Sequence, residues 1–425
     1  MTHPVRIARG ALAALTLAAA AAACGDDDVD IVDPSFQGGE LFRSYVALGN
    51  SITAGFQSSG INDSTQRESY AYLFAQQLYG ADVARRWSYP SLVAPGCPAP
   101  VANIQTGVRV GGSAVAGCNL RNPAAVAYAL NNVAVPNAFS VDPTSRTTAN
   151  SNTLTTVILG GGTQVSRALQ ARPTFVSVWI GNNDALAAAS MGLLARTTQG
   201  TGATAPVLSP GITVDSVFQA NYRSMIDSLK LAPTLDGGAL IGVVNPLGAP
   251  LLFPVAALFN PAFKAGFDQY AGGPVTLAAS CGSAAAPSNA LLSFAIVPAM
   301  RAGTHPRTVA CAPTGAAGSV GDIFVVTAAE QATLTARVTA FNAFIQQQAT
   351  ENDWVYLDPN PLLAQLRAQP NCILPVPNLA SATQTFGACI SLDGVHPARR
   401  AHVAIANALV SAVNAKYTLS IPTVQ

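Results

Sequence analysis

A serine, a histidine and an aspartate that can act together in nucleophilic catalysis lie near opposite ends of this sequence. Ser51 belongs to the segment Gly49-Asn50-Ser51, which directly follows an apolar run typical of a buried strand. A serine at the carboxyl end of a parallel strand lies where α/β folds bind their ligands, and the glycine permits a tight turn. The alternative is a helix N-cap, which is a common role for a serine after a strand.

Asp393 and His396 form the second candidate group, in the segment 393–397 near the C-terminus. The carboxylate can bind one imidazole nitrogen and thereby fix the tautomer and orientation of the other. The alternative is a structural histidine at the start of a helix that Asp393 caps. His305, in a Thr-His-Pro-Arg loop, and His402, within the predicted last helix, are interpreted as surface or structural residues.

Two further segments carry amide side chains. Residues 181–184, Gly-Asn-Asn-Asp, follow a strongly apolar run, and an amide there can donate a hydrogen bond to a developing oxyanion. The alternative is a polar turn in which Asp184 caps a helix. Residues 132–138, taken alone, are interpreted as a strand that ends in a turn.

The elements that must position these residues alternate along the chain. Apolar runs predict strands at 42–49, 174–180, 239–244 and 354–357. Helical patterns cover 69–78, 163–171, 184–191, 215–231, 328–350 and 396–413, the last with Pro397 in its first turn. This alternation predicts an α/β fold with a parallel sheet between helices, and strands that are apolar throughout agree with a sheet buried on both faces.

The composition limits the classes of function. Half of the residues are hydrophobic, 10% are charged and the formal net charge is +1, which argues against a nucleic-acid partner. Residues 195–213 are interpreted as a loop. Residues of about 246–325 are rich in Pro, Gly and Ala and predict an insertion that covers or flanks a site. The uncharged residues 237–263 are not interpreted as a membrane span, because four prolines interrupt them.

The N-terminus predicts export. Arg6 and Arg9 precede an apolar run that is too short to span a bilayer well, so residues 1–23 are interpreted as a signal peptide. The run ends at Cys24 and resembles a bacterial lipoprotein signal. That resemblance implies a lipid on Cys24, a flexible tether over 24–40 and an anchor at the cell envelope, either the outer membrane or the cell surface. An ordinary signal peptide, cut nearby without lipidation, is the alternative.

Six cysteines follow Cys24, and an even number in an exported chain favours disulfides. Although six cysteines permit fifteen pairings, local pairing is preferred because each couple brackets a Pro/Gly-rich stretch. The preferred pairs are Cys97 with Cys118, Cys281 with Cys311, and Cys372 with Cys389. No couple has the C-x-x-C spacing of a zinc site, so no metal is predicted.

The catalytic candidates together resemble the SGNH/GDSL hydrolase family. The resemblance rests on Ser51 in a G-x-S motif, on G-x-N-D at 181–184 and on D-x-x-H at 393–396, in this order. It implies a three-layer α/β/α sandwich with a central parallel sheet (SGNH/flavodoxin-like) and ester hydrolysis without a cofactor. Because the motifs extend from 49 to 397, it also implies one hydrolase domain over 41–420 that contains the insertion.

The resemblance also implies a role for each matched residue. Ser51 matches the nucleophile, His396 the base and Asp393 its partner. The oxyanion donors are implied to be the backbone N–H groups of Ser51 and Asn137 and the side chain of Asn183. The supporting positions of these motifs are Gly49, Asn50 and Gly181.

Two residues depart from the family pattern. Asn50 stands where the family usually has an aspartate that helps to order the site. Asn137, in the segment 132–138 that is similar to the family block N-x-A-x-P-G-A, stands where glycine is usual. Asparagine is the next best residue if the backbone there has a positive φ, and the backbone donor survives the change.

The expected function is that of a lipase or carboxylesterase that forms an acyl-enzyme, and an acyl-containing ester is the expected substrate. The same site chemistry serves a polysaccharide O-deacetylase or a thioesterase. A catalytically weak, surface-anchored binding module is the alternative from another class, and the membrane is the expected partner of the lipid anchor.

Overall fold

The computed structural model describes residues 39–112, 129–191, 211–312 and 323–425. Its strands are β1 Tyr45–Gly49, β2 Val101–Asn103, β3 Val108–Arg109, β4 Phe175–Trp179, β5 Gly237–Ile241, β6 Leu252–Pro254, β7 Thr276–Leu277, β8 Leu291–Ser293, β9 Thr308–Val309, β10 Val325–Val326 and β11 Val355–Leu357. Four of them form the central sheet in the order β1-β4-β5-β11. Every neighbouring pair in this sheet is parallel, so the carboxyl ends of its strands share one edge.

Fourteen α-helices lie within the described residues. They are α1 Ser51–Ala54, α2 Asp63–Glu68, α3 Tyr70–Tyr79, α4 Val83–Arg86, α5 Arg146–Ser151, α6 Thr153–Leu159, α7 Gln164–Gln170, α8 Asn182–Met191, α9 Asp215–Leu229, α10 Pro261–Tyr270, α11 Ile296–Arg301, α12 Ala328–Glu351, α13 Pro359–Ala368 and α14 Arg399–Tyr417. Most of the predicted helices agree with these bounds to within a few residues.

Alternate residues of the central strands pack on opposite faces of the sheet. Phe175 contacts Tyr417 of α14, with ring centroids 5.9 Å apart. The next residue, Val176, belongs to a buried cluster that includes Phe218 of α9 and Phe341 of α12. Helices thus cover both faces and bury β1, β4 and β5 along their whole length. The predicted α/β fold with a central parallel sheet between helices is confirmed.

One prediction of local structure was wrong, and one alternative interpretation is excluded. Pro397 does not lie in the first turn of the last helix, because α14 begins at Arg399. An antiparallel bridge between Ile390 and Pro397, and a hydrogen bond from the Ala398 N–H to the Cys389 carbonyl, hold this segment outside the helix. Asp184 is not an N-cap, because it lies inside α8.

The predicted insertion contains a hydrophobic cluster of its own. Strands β10, β8 and β6 form a small antiparallel sheet, and Phe253, Phe267 and Phe294 pack beside it in the second buried cluster. This cluster continues into residues 366–390, which lead to the Asp393–His396 segment. Both clusters belong to one compact unit, Gln37–Gln425. The insertion therefore packs against the chain that carries the candidate histidine.

Two of the three preferred disulfides are confirmed. Cys281 is bonded to Cys311, and Cys372 is bonded to Cys389. The Cys97–Cys118 pair stays a prediction, because Cys118 lies outside the described residues.

The predictions for the N-terminus fall mostly outside the described part of the chain. The signal peptide over 1–23, the lipidated Cys24 and the tether up to residue 38 all lie there. The loop predicted over 195–213 lies outside it except for its last three residues, and so do residues 313–322 of the insertion. Within the four described ranges, no helix combines the length and the apolar character that crossing a membrane requires.

Candidate active site

Ser51 is the first residue of α1, immediately beyond the carboxyl end of β1. The N-cap of this helix is Asn50, whose side-chain oxygen accepts from the Ile52 N–H at 3.2 Å, so Ser51 is not the cap. The Ser51 side chain is therefore not needed as the N-cap of the helix. A larger residue than glycine would clash at position 49, since a Cβ there would lie 2.6 Å from the Trp179 carbonyl oxygen.

The side chains of Ser51, His396 and Asp393 lie within hydrogen-bonding distance of one another in a row. His396 Nε2 lies 2.7 Å from Ser51 Oγ, and His396 Nδ1 lies 2.8 Å from Asp393 Oδ2. The ring of Phe56 contacts the imidazole edge to face, with centroids 5.1 Å apart. The structure thus brings together three residues that the sequence separates by 345 positions.

Three backbone N–H groups fix the Asp393 carboxylate in addition to the imidazole. Val395 and His396 donate to Oδ1, and Ser59 donates to Oδ2, each at 2.9 Å. Burial by itself would raise the pKa of Asp393, but the attraction of His396 and these donors hold this pKa well below its usual range. The carboxylate is therefore ionised wherever the imidazole can act as a base.

The turn around Ser58 and Ser59 is a part of the site that sequence reasoning missed. Both residues have positive φ values, 53° and 55°, between the paired residues Gln57 and Gly60. The Ser58 N–H donates to Ser391 Oγ at 2.8 Å, which ties the turn to the chain before Asp393. The only local signal is a run of small residues, which does not identify a partner so distant in sequence.

Asn137 and Asn183 lie on segments that contact each other beside the end of β1. The Asn183 side-chain nitrogen donates to the Ala138 carbonyl at 2.8 Å, and the Val135 N–H donates to the Gly49 carbonyl at 3.1 Å. Asn137 is exposed and has a φ of 63°, the positive value at which asparagine is tolerated. The backbone N–H of Asn137 donates to no other residue in the described part of the chain.

Gly181 permits the close packing behind Asn183. Its φ is 110°, and a Cβ there would lie 2.7 Å from the ring of Phe218. Asn182 accepts from the Val244 N–H through its side-chain oxygen at 2.9 Å, which joins this segment to the chain after β5. The Gly-Asn-Asn segment is thus held between two neighbouring strands while the Asn183 side chain faces the 132–138 segment.

Gln164 is a second contributor that the sequence did not reveal. Its side-chain oxygen accepts from the Gly49 N–H at 2.9 Å, and the side chain is buried. This contact orients the Leu48–Gly49 peptide, one residue before Asn50. The Asn50 side-chain nitrogen is also buried and has no hydrogen-bond partner among the described residues.

His402 and His305, the two other histidines in the described part of the chain, make no hydrogen bond to Ser51. His402 is fully buried in α14, and its Nδ1 accepts from the Tyr70 N–H at 3.1 Å. Burial, and secondly the nearby His396, lower the pKa of His402 to about 3, so it is neutral. His305 is half-buried in a loop, where its ring contacts Phe324. No group of three or more His, Cys, Asp or Glu side chains within the described ranges is arranged to hold a metal ion.

The fold and the site together define an α/β protein with a serine, a histidine and an aspartate aligned beyond the carboxyl end of its first strand. No protein-family model matches this chain, and neither does any curated protein. Among solved structures, it is similar to the acetylxylan esterase Axe2 of Geobacillus stearothermophilus, with 12% identity, a TM-score of 0.36 and coverage of 89% of this chain and 96% of that chain. It is also similar to an extracellular lipase of Streptomyces rimosus, with 14% identity, a TM-score of 0.34 and coverage of 87% and 99%. The interpretation of the site rests on its own geometry.

Proposed function

We propose that this protein is a serine hydrolase that cleaves carboxylic esters through an acyl-enzyme, as its SGNH/GDSL-like motifs imply. The observation that carries the proposal is the row of two short hydrogen bonds from Ser51 through His396 to Asp393. Such a row supplies a nucleophile, a base and a group that orients the base.

In the first step, Ser51 Oγ attacks the ester carbonyl carbon while His396 Nε2 accepts the hydroxyl proton. The imidazolium that forms is stabilised by the Asp393 carboxylate, which stays ionised. The carbonyl π bond opens and the carbonyl oxygen takes the negative charge. His396 then returns the proton to the departing alkoxide, so that an alcohol leaves and the acyl group stays on Ser51.

The oxyanion is held by three donors in this proposal: the backbone N–H groups of Ser51 and Asn137 and the side chain of Asn183. The Asn183 amide has two N–H bonds, and one of them is used by the Ala138 carbonyl, which leaves the other for the substrate. A single donor of this kind is worth about 3 kcal/mol at the transition state.

In the second step, His396 removes a proton from water, and the hydroxide attacks the acyl carbon. The same donors hold the second oxyanion, and the protonated His396 returns its proton to Ser51 Oγ as the acid leaves. His396 must be neutral at the start of each step.

A cavity at the carboxyl edge of the central sheet supports an acyl-containing substrate. It has a volume of about 530 Å³ and is lined by the apolar Leu247, Leu363 and Ala364 and by the polar Asn245, Asn360 and Arg367. Asn245 directly follows Val244, whose N–H donates to Asn182 beside Asn183. The apolar side chains of this cavity suit an aliphatic acyl chain.

A second candidate, removal of acyl groups from a polysaccharide, is favoured by a different cavity. This cavity of about 670 Å³ lies between α10 and the 377–380 segment, and Gln105, Gln269, Asn378, Arg301 and Tyr270 line it. Amide and guanidinium groups beside an aromatic ring match the hydroxyls and the C–H faces of a sugar. The two disulfides agree with export of such an enzyme, and lipidation of Cys24 stays a prediction.

The proposal is tested with p-nitrophenyl esters of increasing chain length, assayed with the wild type and with Ser51→Ala. We expect turnover by the wild type and none above background by Ser51→Ala, with equal melting temperatures. Ser228→Ala is the matched control, because the hydroxyl of this half-buried serine makes one hydrogen bond within the described residues, to Ser224 of its own helix. Turnover by Ser51→Ala at the wild-type rate ends the proposal.

A further inference from the structure

Asp184 has no role in the proposed chemistry, yet its carboxylate is buried. It directly follows Asn183 in the sequence. Its side chain is 1% exposed. Oδ2 accepts from the Ser140 N–H at 2.9 Å, and Oδ1 accepts from the Ser140 hydroxyl at 2.7 Å. Both oxygens of Asp184 are thus bonded to one residue of the segment that follows Asn137.

The contacts of Asn183 and Asp184 form a clamp between α8 and residues 137–140. The Asn183 side chain donates to the Ala138 carbonyl, and the Asp184 side chain accepts twice from Ser140. The peptide N–H of Asn137 directly precedes the clamped residues. Three hydrogen bonds therefore fix this N–H relative to the Asn183 amide.

The clamp depends on a carboxylate. Only a carboxylate accepts both bonds as they stand. With an asparagine at 184, the amide nitrogen faces the Ser140 hydroxyl, which already accepts from Asn221 and then has to turn its own proton elsewhere. Burial raises the pKa of Asp184 to about 6 against the effect of these bonds, because no cation contacts it in the described part of the chain. The groups that face it are Asp142, which also raises its pKa, Thr213, whose hydroxyl lowers its pKa, and Ser140, whose hydroxyl accepts from the neutral Asn221 amide.

We propose that Asp184 is a positioning residue that holds the Asn137 N–H and the Asn183 amide in register as one oxyanion hole. The inference rests on the proposed function and extends it to a residue that touches no substrate. It follows that Asp184 acts on the transition state through the 137–140 segment and not on substrate binding.

The first test compares Asp184→Asn with Asp142→Asn by steady-state kinetics on a p-nitrophenyl ester. Asp142 is buried two residues beyond the clamped segment and accepts from the Phe139 N–H through its Oδ2, so asparagine keeps that bond while removing the same charge. We expect Asp184→Asn to lower kcat roughly tenfold to a hundredfold with KM within about twofold. We expect Asp142→Asn to keep both parameters near the wild type.

Rates are expressed per competent serine, counted as p-nitrophenol released at the end point by diethyl p-nitrophenyl phosphate. This count distinguishes a positioning effect from partial unfolding. Partial unfolding lowers the number of competent serines, whereas a positioning effect lowers the kcat of each competent serine. Ser140→Ala keeps its N–H bond to Asp184 and is expected to lower kcat less than Asp184→Asn. An unchanged kcat per serine in Asp184→Asn, or a loss that appears only in KM, overturns the inference.

Two further measurements connect the effect to the oxyanion hole. In an Asn183→Ala background, Asp184→Asn should cost much less than it does alone, because the hole is already incomplete. Additive losses contradict the inference. Amide hydrogen exchange of residues 137–140 should rise about tenfold in Asp184→Asn and not in β1.

The exchange measurement, together with the Ser51→Ala assay, distinguishes a failure of the proposed function from a failure of the proposed role of Asp184. If Ser51→Ala hydrolyses esters as the wild type does, the proposed function fails, and the role of Asp184 in it fails as well. If Ser51→Ala is inactive but residues 137–140 exchange at the wild-type rate in Asp184→Asn, only the clamp is refuted.

Discussion

The backbone N–H of Ser59 donates to Asp393 Oδ2 at 2.9 Å, between residues 334 positions apart in the sequence. The same oxygen accepts from His396 Nδ1 at 2.8 Å. The Asp393 carboxylate is thereby fixed both by its own loop and by the turn that follows α1. This links the segment that carries Ser51 to the segment that carries the histidine, independently of the Ser51–His396 hydrogen bond.

We expect Asp393→Asn to lower kcat by about four orders of magnitude while the chain stays folded. An amide at this position donates toward His396 Nδ1 and stabilises the tautomer whose Nε2 carries the proton, which is the wrong tautomer for a base. The measurement is kcat on a p-nitrophenyl ester, with far-UV circular dichroism as the check on folding. Asp236→Asn, at an exposed position, is the control. A kcat within tenfold of the wild type contradicts the assigned role.

Asn137 provides a test of whether its backbone or its side chain is the donor. Asn137→Gly keeps the N–H and suits the φ of 63°, so we expect kcat within a few-fold of the wild type. Asn137→Ala keeps a Cβ in the left-handed region but removes the short polar group that makes asparagine tolerated there, and it should cost up to roughly 1–2 kcal/mol of stability. The measurements are kcat and the free energy of unfolding in urea. A hundredfold loss of kcat in Asn137→Gly would instead identify the side chain as the donor.

Asn182 and Asn183 are neighbours with different expected roles. Asn183→Ala should lower kcat about 10²- to 10³-fold with little change in KM, because it removes a donor to the transition state. Asn182→Ala leaves the N–H of the half-buried Val244 without its acceptor and should cost roughly 1 kcal/mol of stability with a smaller effect on kcat. Kinetics and urea denaturation of both variants provide the comparison. Equal losses of kcat would mean that the effect is structural.

The sequence could predict the α/β class and the position of each motif relative to its strand. Short apolar runs identified β1 and β4, and polar motifs at their ends necessarily share one edge of a parallel sheet. Asn137 does have the positive φ for which asparagine is the next best residue after glycine. These features depend on local patterns, which is why they could be found in one sequence.

Contacts between distant segments could not be predicted in this way. Nothing near Ser59 indicates that its N–H binds Asp393, and nothing near Gln164 indicates that it binds the Gly49 N–H. Asp184 was interpreted as a possible helix cap because such residues usually act locally, whereas its partner Ser140 lies 44 positions away. Pro397 was placed in the helix by its local suitability, but the pairing of its segment with Ile390 decides where α14 begins.

The buried His402 predicts a specific dependence of stability on pH. Its folded-state pKa of about 3 lies below the usual value of 6.5, so the unfolded chain binds a proton first as the pH falls. Its contribution to stability is therefore present above pH 6.5 and is lost progressively down to about pH 3. The loss for one such group is roughly 1.4 kcal/mol per pH unit, or about 2 kcal/mol between pH 7 and pH 5.

Asp184 changes the stability with pH in the direction opposite to His402. The effect of His402 therefore has to be isolated with a variant. Its folded-state pKa is raised to about 6, so it favours the folded chain as the pH falls below that value. The pKa of Asp393 is lowered, and its contribution is lost only below the usual range of a carboxyl, outside this window. The difference between wild type and a His402 variant isolates the histidine, since both carboxyls are present in each.

The variant is His402→Gln, whose side-chain oxygen can accept from the Tyr70 N–H in place of Nδ1. Urea denaturation at pH 7 and pH 5 gives the free energy of unfolding of both proteins. We expect the variant to be less stable at pH 7, because it fills the buried space less well, and the difference from the wild type to shrink by about 2 kcal/mol at pH 5. A difference that stays constant between the two pH values would show that His402 takes up no proton on unfolding, and would exclude it as a source of acid instability.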